Sequence, residues 1–304
     1  MLAAKPWKPD AILRLLLSVF VCIFAGSLLP NLWQHSVAAK GFAAKLIVPL
    51  TILALCCWAA TLVLLNKPWR LETFEHRLML VLACFCVGFF ASALVARFSG
   101  ESDKNPSTGR MVIATLSFQG AGLIFIARFL REHHMSWTEG FGFSSNPRRA
   151  VLLGIVIALL FLPIGWGLQD LCGRLITHLP HLKLKPEEQQ AVHALRNAAS
   201  WANRLALAAA AILLAPVAEE LLFRGILYPA VKQAGYPHLA LWGTSVLFAA
   251  VHTNLVSFVP LTVLALLLTA LYERTNNLLA PITAHAMFNA LNFGSLLLQE
   301  RWGS

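Results

Sequence analysis

Residues 205–228 read LALAAAAILLAPVAEELLFRGILY, and this stretch decides the fold. A helix rising 1.5 Å per residue over such a run is long enough to cross the roughly 30 Å hydrocarbon core of a bilayer. Within it sit Glu219, Glu220 and Arg224. Ionisable groups inside an apolar span are costly, so they are candidates for function by default. Glu220 and Arg224 are four residues apart with the acid first, the favoured orientation for an ion pair on one helix face. Glu219 lies about 100° further round the helix and points elsewhere. The economical division gives Arg224 to Glu220 and leaves Glu219 a lone carboxylate for chemistry. Pro216, one turn earlier, removes a backbone donor and loosens the helix near the acids.

The rest of the chain agrees with a membrane setting. Of 304 residues, 58% are apolar and 12% charged. That is about half the charged share of an average soluble domain. A soluble fold, a secreted disulfide scaffold and a disordered chain are all excluded on these grounds. The expected architecture is all-α, a polytopic integral membrane bundle of about eight or nine hydrophobic helices with an intramembrane polar site in its C-terminal half. Apolar runs predict spans at Ala11–Leu29, Leu46–Leu65, Leu78–Ala96, Met111–Leu130 and Ala150–Leu168. Later ones fall at Leu205–Tyr228, Leu239–His252, Phe258–Tyr272 and Leu278–Leu298, the two middle segments being short enough to tilt or to share a span. The organisation is then accessory transmembrane helices at 1–168, a polar loop at 169–204, core helices at 205–298 and a tail at 299–304. Within the loop, Pro186–Ala199 reads as an amphipathic helix with proline in its first turn. The N-terminal helix reads as retained, since no small-residue cleavage site follows MLAAKPWKPD.

The net charge of +10 is scattered through short loops, as for residues flanking membrane spans, so anionic lipid headgroups rather than nucleic acid are the expected partner. Lys and Arg are split evenly between alternate loops and give no orientation. Six cysteines form no CxxC pair, which argues against a zinc knuckle or a thioredoxin-like site. His133 and His134, and Glu187, Glu188 and His193, read as surface residues.

Two further segments carry polar groups in apolar surroundings. His252 ends LFAAVH, with Phe248 one turn before it. His285 and Asn289 share a face in APITAHAMFNALN, and Asn292 follows. Taken singly, each has a plain structural explanation: Glu220–Arg224 an ion pair, His252 a packed ring, His285 with Asn289 a polar contact between helices. Taken together they offer a carboxylate, two imidazoles and a carboxamide. If they converge, they can activate a water and stabilise an oxyanion.

The three motifs, Glu219-Glu220-Leu-Leu-Phe-Arg224, Phe248-Ala-Ala-Val-His252 and His285-Ala-Met-Phe-Asn289, resemble in order and type those of the CPBP intramembrane proteases (CAAX proteases and bacteriocin-processing enzymes). The likeness covers about 205–298. It implies an endopeptidase acting on a membrane-associated protein or peptide, prenylated CaaX-type substrates included, in a multi-pass protein of the bacterial inner membrane. It implies Glu219 as general base, His252 holding and polarising the water, and His285 and Asn289 as donors to the oxyanion. Glu220, Arg224 and Phe248 would support them. No cofactor is expected. The alternative is zinc held by Glu219, His252 and His285, against which stands the absence of a paired-histidine motif on one helix. A proton-coupled transporter and a non-catalytic membrane scaffold or immunity protein are the competing functions.

Overall fold

The computed structural model describes residues 5–19, 119–178, 189–196, 198, 200–252 and 254–302. The spans expected at Leu46–Leu65 and Leu78–Ala96 lie outside the described residues, as do Cys22, Cys56, Cys57, Cys84, Cys86, Glu187 and Glu188. Among the described residues there is no strand, and the all-α expectation holds.

The chain divides into two compact units, 8–129 and a second formed by 1–7 with 130–304. In the first, residues 9–19 are helical, with Arg14 Nη1 3.1 Å from Asp10 Oδ2. Helix α1 is Ala121–Glu132. The second holds α2 (Trp137–Phe141), α3 (Pro147–Thr177), α4 (Gln190–Arg196), α5 (Trp201–Gln233), α6 (Leu239–Ala250), α7 (Leu255–Thr275) and α8 (Leu279–Trp302).

α3, α5 and α7 are long and apolar enough to cross a membrane, and α6 is a shorter apolar helix. The protein is an integral membrane protein. α7 is longer than the apolar run at Phe258–Tyr272 suggested, because its ends are set by polar caps. The Asn254 side chain accepts from Ser257 N–H at 2.9 Å, and Asn276 closes the far end in the left-handed region at φ 49°. α6 stops at Ala250, two residues before His252, so that histidine sits in the turn after the helix. The amphipathic segment expected at Pro186–Ala199 is helical over Gln190–Arg196, with its first three residues outside the described set.

α8 packs along α3 and also against α7 and α5. Gly154 makes the first contact close: a Cβ there would come within 2.6 Å of the Ala280 carbonyl oxygen. The start of α8 is fixed by the loop before α3. Leu278 N–H donates to Phe141 O at 3.0 Å, and Asn277 Nδ2 donates to Ser145 O at 2.7 Å. Gly142, at φ 74°, turns the chain there, where a Cβ would collide with the Asn276 carbonyl. These contacts fix the depth at which α8 presents His285.

Candidate active site

Helix α5 carries the acids, and it is not a regular α-helix. Over Ala210–Leu214 and Leu221–Leu227 its turns widen to π geometry, which recurs at functional sites. Ala215 N–H reaches back to Ala210 O, so the donor next in line for Ala211 O is residue 216. That residue is proline and has no N–H. The orphaned Ala211 carbonyl is met instead by Asn289 Nδ2 at 2.8 Å. Further along α5, Gly225 O, four residues before Pro229, accepts from Trp7 Nε1 at 3.2 Å. Two carbonyls of α5, Ala211 part-buried and Gly225 buried, thus accept from side chains elsewhere in the sequence.

Between the two π segments, Glu219 and Glu220 are buried, with Glu220 at 0% exposure. Arg224 Nη1 donates to Glu220 Oε1 at 2.8 Å, and Arg224 Nη2 donates to Ala265 O on α7 at 3.2 Å. Arg224 also lies 4.4 Å over the Phe248 ring. His285 Nδ1 contacts the same Glu220 oxygen at 2.9 Å. Because that oxygen already accepts from a guanidinium, it is a carboxylate acceptor, and Nδ1 must carry the proton.

His252 is fixed in the same sense. Its Nδ1 lies 2.7 Å from the Phe248 carbonyl, which can only accept, so Nδ1–H donates. In the neutral rings, both Nε2 atoms therefore present lone pairs. They face one oxygen: Glu219 Oε2 is 3.9 Å from His252 Nε2 and 4.0 Å from His285 Nε2. That oxygen is buried without a hydrogen-bond partner among the described residues, as is Glu220 Oε2. The His252 side chain is 25% exposed and gives the cluster its open side.

Phe248, fully buried, packs the site together. Its ring centroid lies 4.9 Å from His252, 5.7 Å from His285 and 5.3 Å from Phe223. The structure thus brings together Glu219, His252 and His285 with Glu220, Arg224 and Phe248. Asn289 sits one turn beyond His285 with an amide hydrogen committed to Ala211 O. Asn292 lies further along, accepting from Trp166 Nε1 at 2.8 Å and tying α8 to α3.

The pairing of His285 with Glu220 could not be anticipated, since the residues are 65 apart in sequence and only helix rotation joins them. Among the described residues, no group of three or more His, Cys, Asp or Glu is arranged to hold a metal ion.

Residues 201–291 match the family described as Type II CAAX prenyl endopeptidase Rce1-like. The CAAX-protease resemblance carried by the three motifs therefore holds over that segment. The uncharacterized protein YpbD of Bacillus subtilis (strain 168) is 40% identical over 83 residues, which are 26% of this chain and 40% of YpbD. The match thus spans less than half of that relative's length. No solved structure matches the chain.

Proposed function

We propose that this protein is an intramembrane endopeptidase that hydrolyses a peptide bond of a membrane-associated protein or peptide, with Glu219 as general base. The cell membrane of a bacterium is its proposed location. One observation carries the reading: a buried, unbonded carboxylate oxygen from α5 faces the Nε2 atoms of two histidines from other elements, at 3.9 and 4.0 Å. Those separations are too long for direct hydrogen bonds and suit an interposed water. The Rce1-like match over 201–291 supports it independently.

In the proposed reaction the water donates one hydrogen to Glu219 Oε2 and one to His252 Nε2. Glu219 takes its proton as the water oxygen bonds to the scissile carbonyl carbon. The carbonyl π electrons move to oxygen, giving a tetrahedral oxyanion. As the C–N bond breaks, Glu219 returns the proton to the leaving nitrogen, so the base is regenerated and one water is consumed. Oxyanion donors must carry hydrogen. His285 Nε2 does so only as an imidazolium, because Nδ1–H is already committed to Glu220. The second amide hydrogen of Asn289 is the other proposed donor. Such preorganised donors each contribute a few kcal/mol to transition-state stabilisation.

The test is cleavage of a panel of lipidated and unlipidated peptides by the purified protein in detergent. Glu219→Gln should lower turnover by about 10²–10⁴-fold, the usual worth of a general base. Unchanged hydrolysis in that variant would sink the proposal. The panel also decides whether prenylated CaaX-type peptides are preferred.

The two Nε2 lone pairs favour one alternative, a zinc ion held by Glu219, His252 and His285. Zinc with bonds of about 2.0–2.1 Å sets tetrahedral ligand atoms about 3.3 Å apart, closer than those here. Cleavage lost on metal stripping and regained only with zinc would establish that alternative. Full activity after stripping is the result expected.

A further inference from the structure

We propose that Trp7 is a positioning residue: the segment Lys5–Trp7 straps α5 to α2 and sets how α8 meets α5, and with it the bond between Glu220 and His285. Its consequence for cleavage rests on the peptidase reading.

The sequence prepares the strap. In Lys5-Pro6-Trp7-Lys8-Pro9, Pro6 restricts the residue before it to an extended backbone, and Pro9 suits the first turn of the helix that follows. Residues 5–8 accordingly have no regular structure, and residue 9 is helical. An extended backbone leaves its N–H and C=O groups in need of a lateral partner. Gln233, at the end of α5, supplies one: its side-chain amide donates to Lys5 O at 2.9 Å and accepts from Lys5 N–H at 2.6 Å. Lys5 Nζ donates in turn to Gly140 O of α2 at 2.8 Å.

Trp7 then turns inward, 7% exposed, and touches the supports of both halves of the site. Its Nε1–H bonds Gly225 O, 218 residues away in sequence. Gly225 directly follows Arg224 within the π segment Leu221–Leu227, so the indole pins the backbone beside the guanidinium that holds Glu220. The indole also packs on Phe141, with ring centroids 6.5 Å apart. The Phe141 carbonyl takes Leu278 N–H at 3.0 Å, at the start of the helix that carries His285. Phe141 in its turn lies hard against Gly225, where a Cβ would come within 2.6 Å of the ring.

Trp7 is therefore the common neighbour of two supports, one leading to Glu220 and the other to His285. Errors in either meet at the 2.9 Å contact between Glu220 Oε1 and His285 Nδ1. A slip of about half an ångström there passes the usual hydrogen-bond range. Packing alone would depend on the shape of the Trp7 ring. Positioning through Gly225 depends on its N–H.

The experiment separates the two. The full chain in detergent is made with benzothienylalanine in place of Trp7, an isostere in which sulfur replaces the indole N–H. Labelling with 15N-histidine reads the Nδ1–H of His285, identified by its loss in His285→Gln. Hydrogen exchange there should quicken by about threefold or more, as for a looser local bond. The kcat for peptide cleavage should fall about tenfold at unchanged KM, the mark of a misplaced group. Exchange at His285 equal to the parent's overturns the proposal. So does exchange quickened equally at His252, whose Nδ1 bond to Phe248 O is a separate one, since that means general loosening. If the isostere gives no folded protein, Gln233→Met decides by the same exchange criteria, because it frees the strap and leaves the indole intact. A parent that cuts no peptide refutes the peptidase reading and still leaves His285 exchange to be read, so the two failures are distinct.

Discussion

Arg224 and Glu220 form a pair whose removal should be felt in two ways. Both side chains are essentially buried, and the pair also holds His285 through the same carboxylate oxygen. Arg224→Met strands the Glu220 charge, so stability should fall by about 3–5 kcal/mol in detergent unfolding. The proposed hydrolysis should fall as well, because Glu220, which holds His285 Nδ1–H, loses the guanidinium that fixes its carboxylate. A variant that unfolds as easily as the parent would show that the charge is compensated elsewhere. At this scale the sequence was readable only along single helices. The i, i+4 spacing of Glu220 and Arg224 named the pair, and the isolation of Glu219 followed from about 100° of helix rotation. That His285 completes the triad is a matter of how deep and how rotated α8 sits against α5, which no spacing within one segment encodes.

The elements are held at their ends as much as along their faces. α2 begins with a capping box in which Glu139 accepts from Ser136 N–H at 2.9 Å and from its hydroxyl at 2.7 Å. These two donors, the backbone one foremost, hold the Glu139 carboxyl below the usual glutamate range. A depressed folded-state value means the contribution is present above the unfolded value and lost as pH falls through the folded one. The melting temperature of Glu139→Ala should therefore lie below the parent at neutral pH, and the gap should close as the solution is acidified past the carboxylate range. Gly142→Ala should cost far more. It forces a side chain into the left-handed region and into the Asn276 carbonyl, at the turn that fixes the start of α8. Loss of folded yield, or a melting temperature lowered by well over that of Glu139→Ala, is expected. Apolar runs located α5, α7 and the start of α3 to within a few residues, whereas α3 runs on to Thr177, well past the expected end at Leu168. The π turns of α5 could not be read that way, because they depend on which carbonyls a proline strands and which distant donor reaches them.

On the scale of the whole molecule, the outward residues of α3 explain a composition that a water-soluble fold could not carry. Leu152, Leu160, Ile164, Leu171 and Leu175 are each more than half exposed and suit acyl chains. The protein should remain in the membrane fraction after an alkaline carbonate wash and leave it only with detergent. Release by carbonate alone would contradict the membrane reading. Integral character was legible from the number of apolar residues. The candidate site was legible as a grouping of polar residues, because the later segments hold them where apolar ones are cheaper.

The bond from Asn289 to the Ala211 carbonyl has a consequence for anyone substituting that position. The asparagine splints the helix that bears the acids across the gap left by Pro216. Replacing it leaves a part-buried backbone oxygen without its donor, at about 1–3 kcal/mol, and slackens the scaffold beneath Glu219. Loss of the proposed activity at position 289 would thus testify first about a broken support. Only an unfolding curve recorded beside each kinetic trace can separate a lost splint from a lost donor.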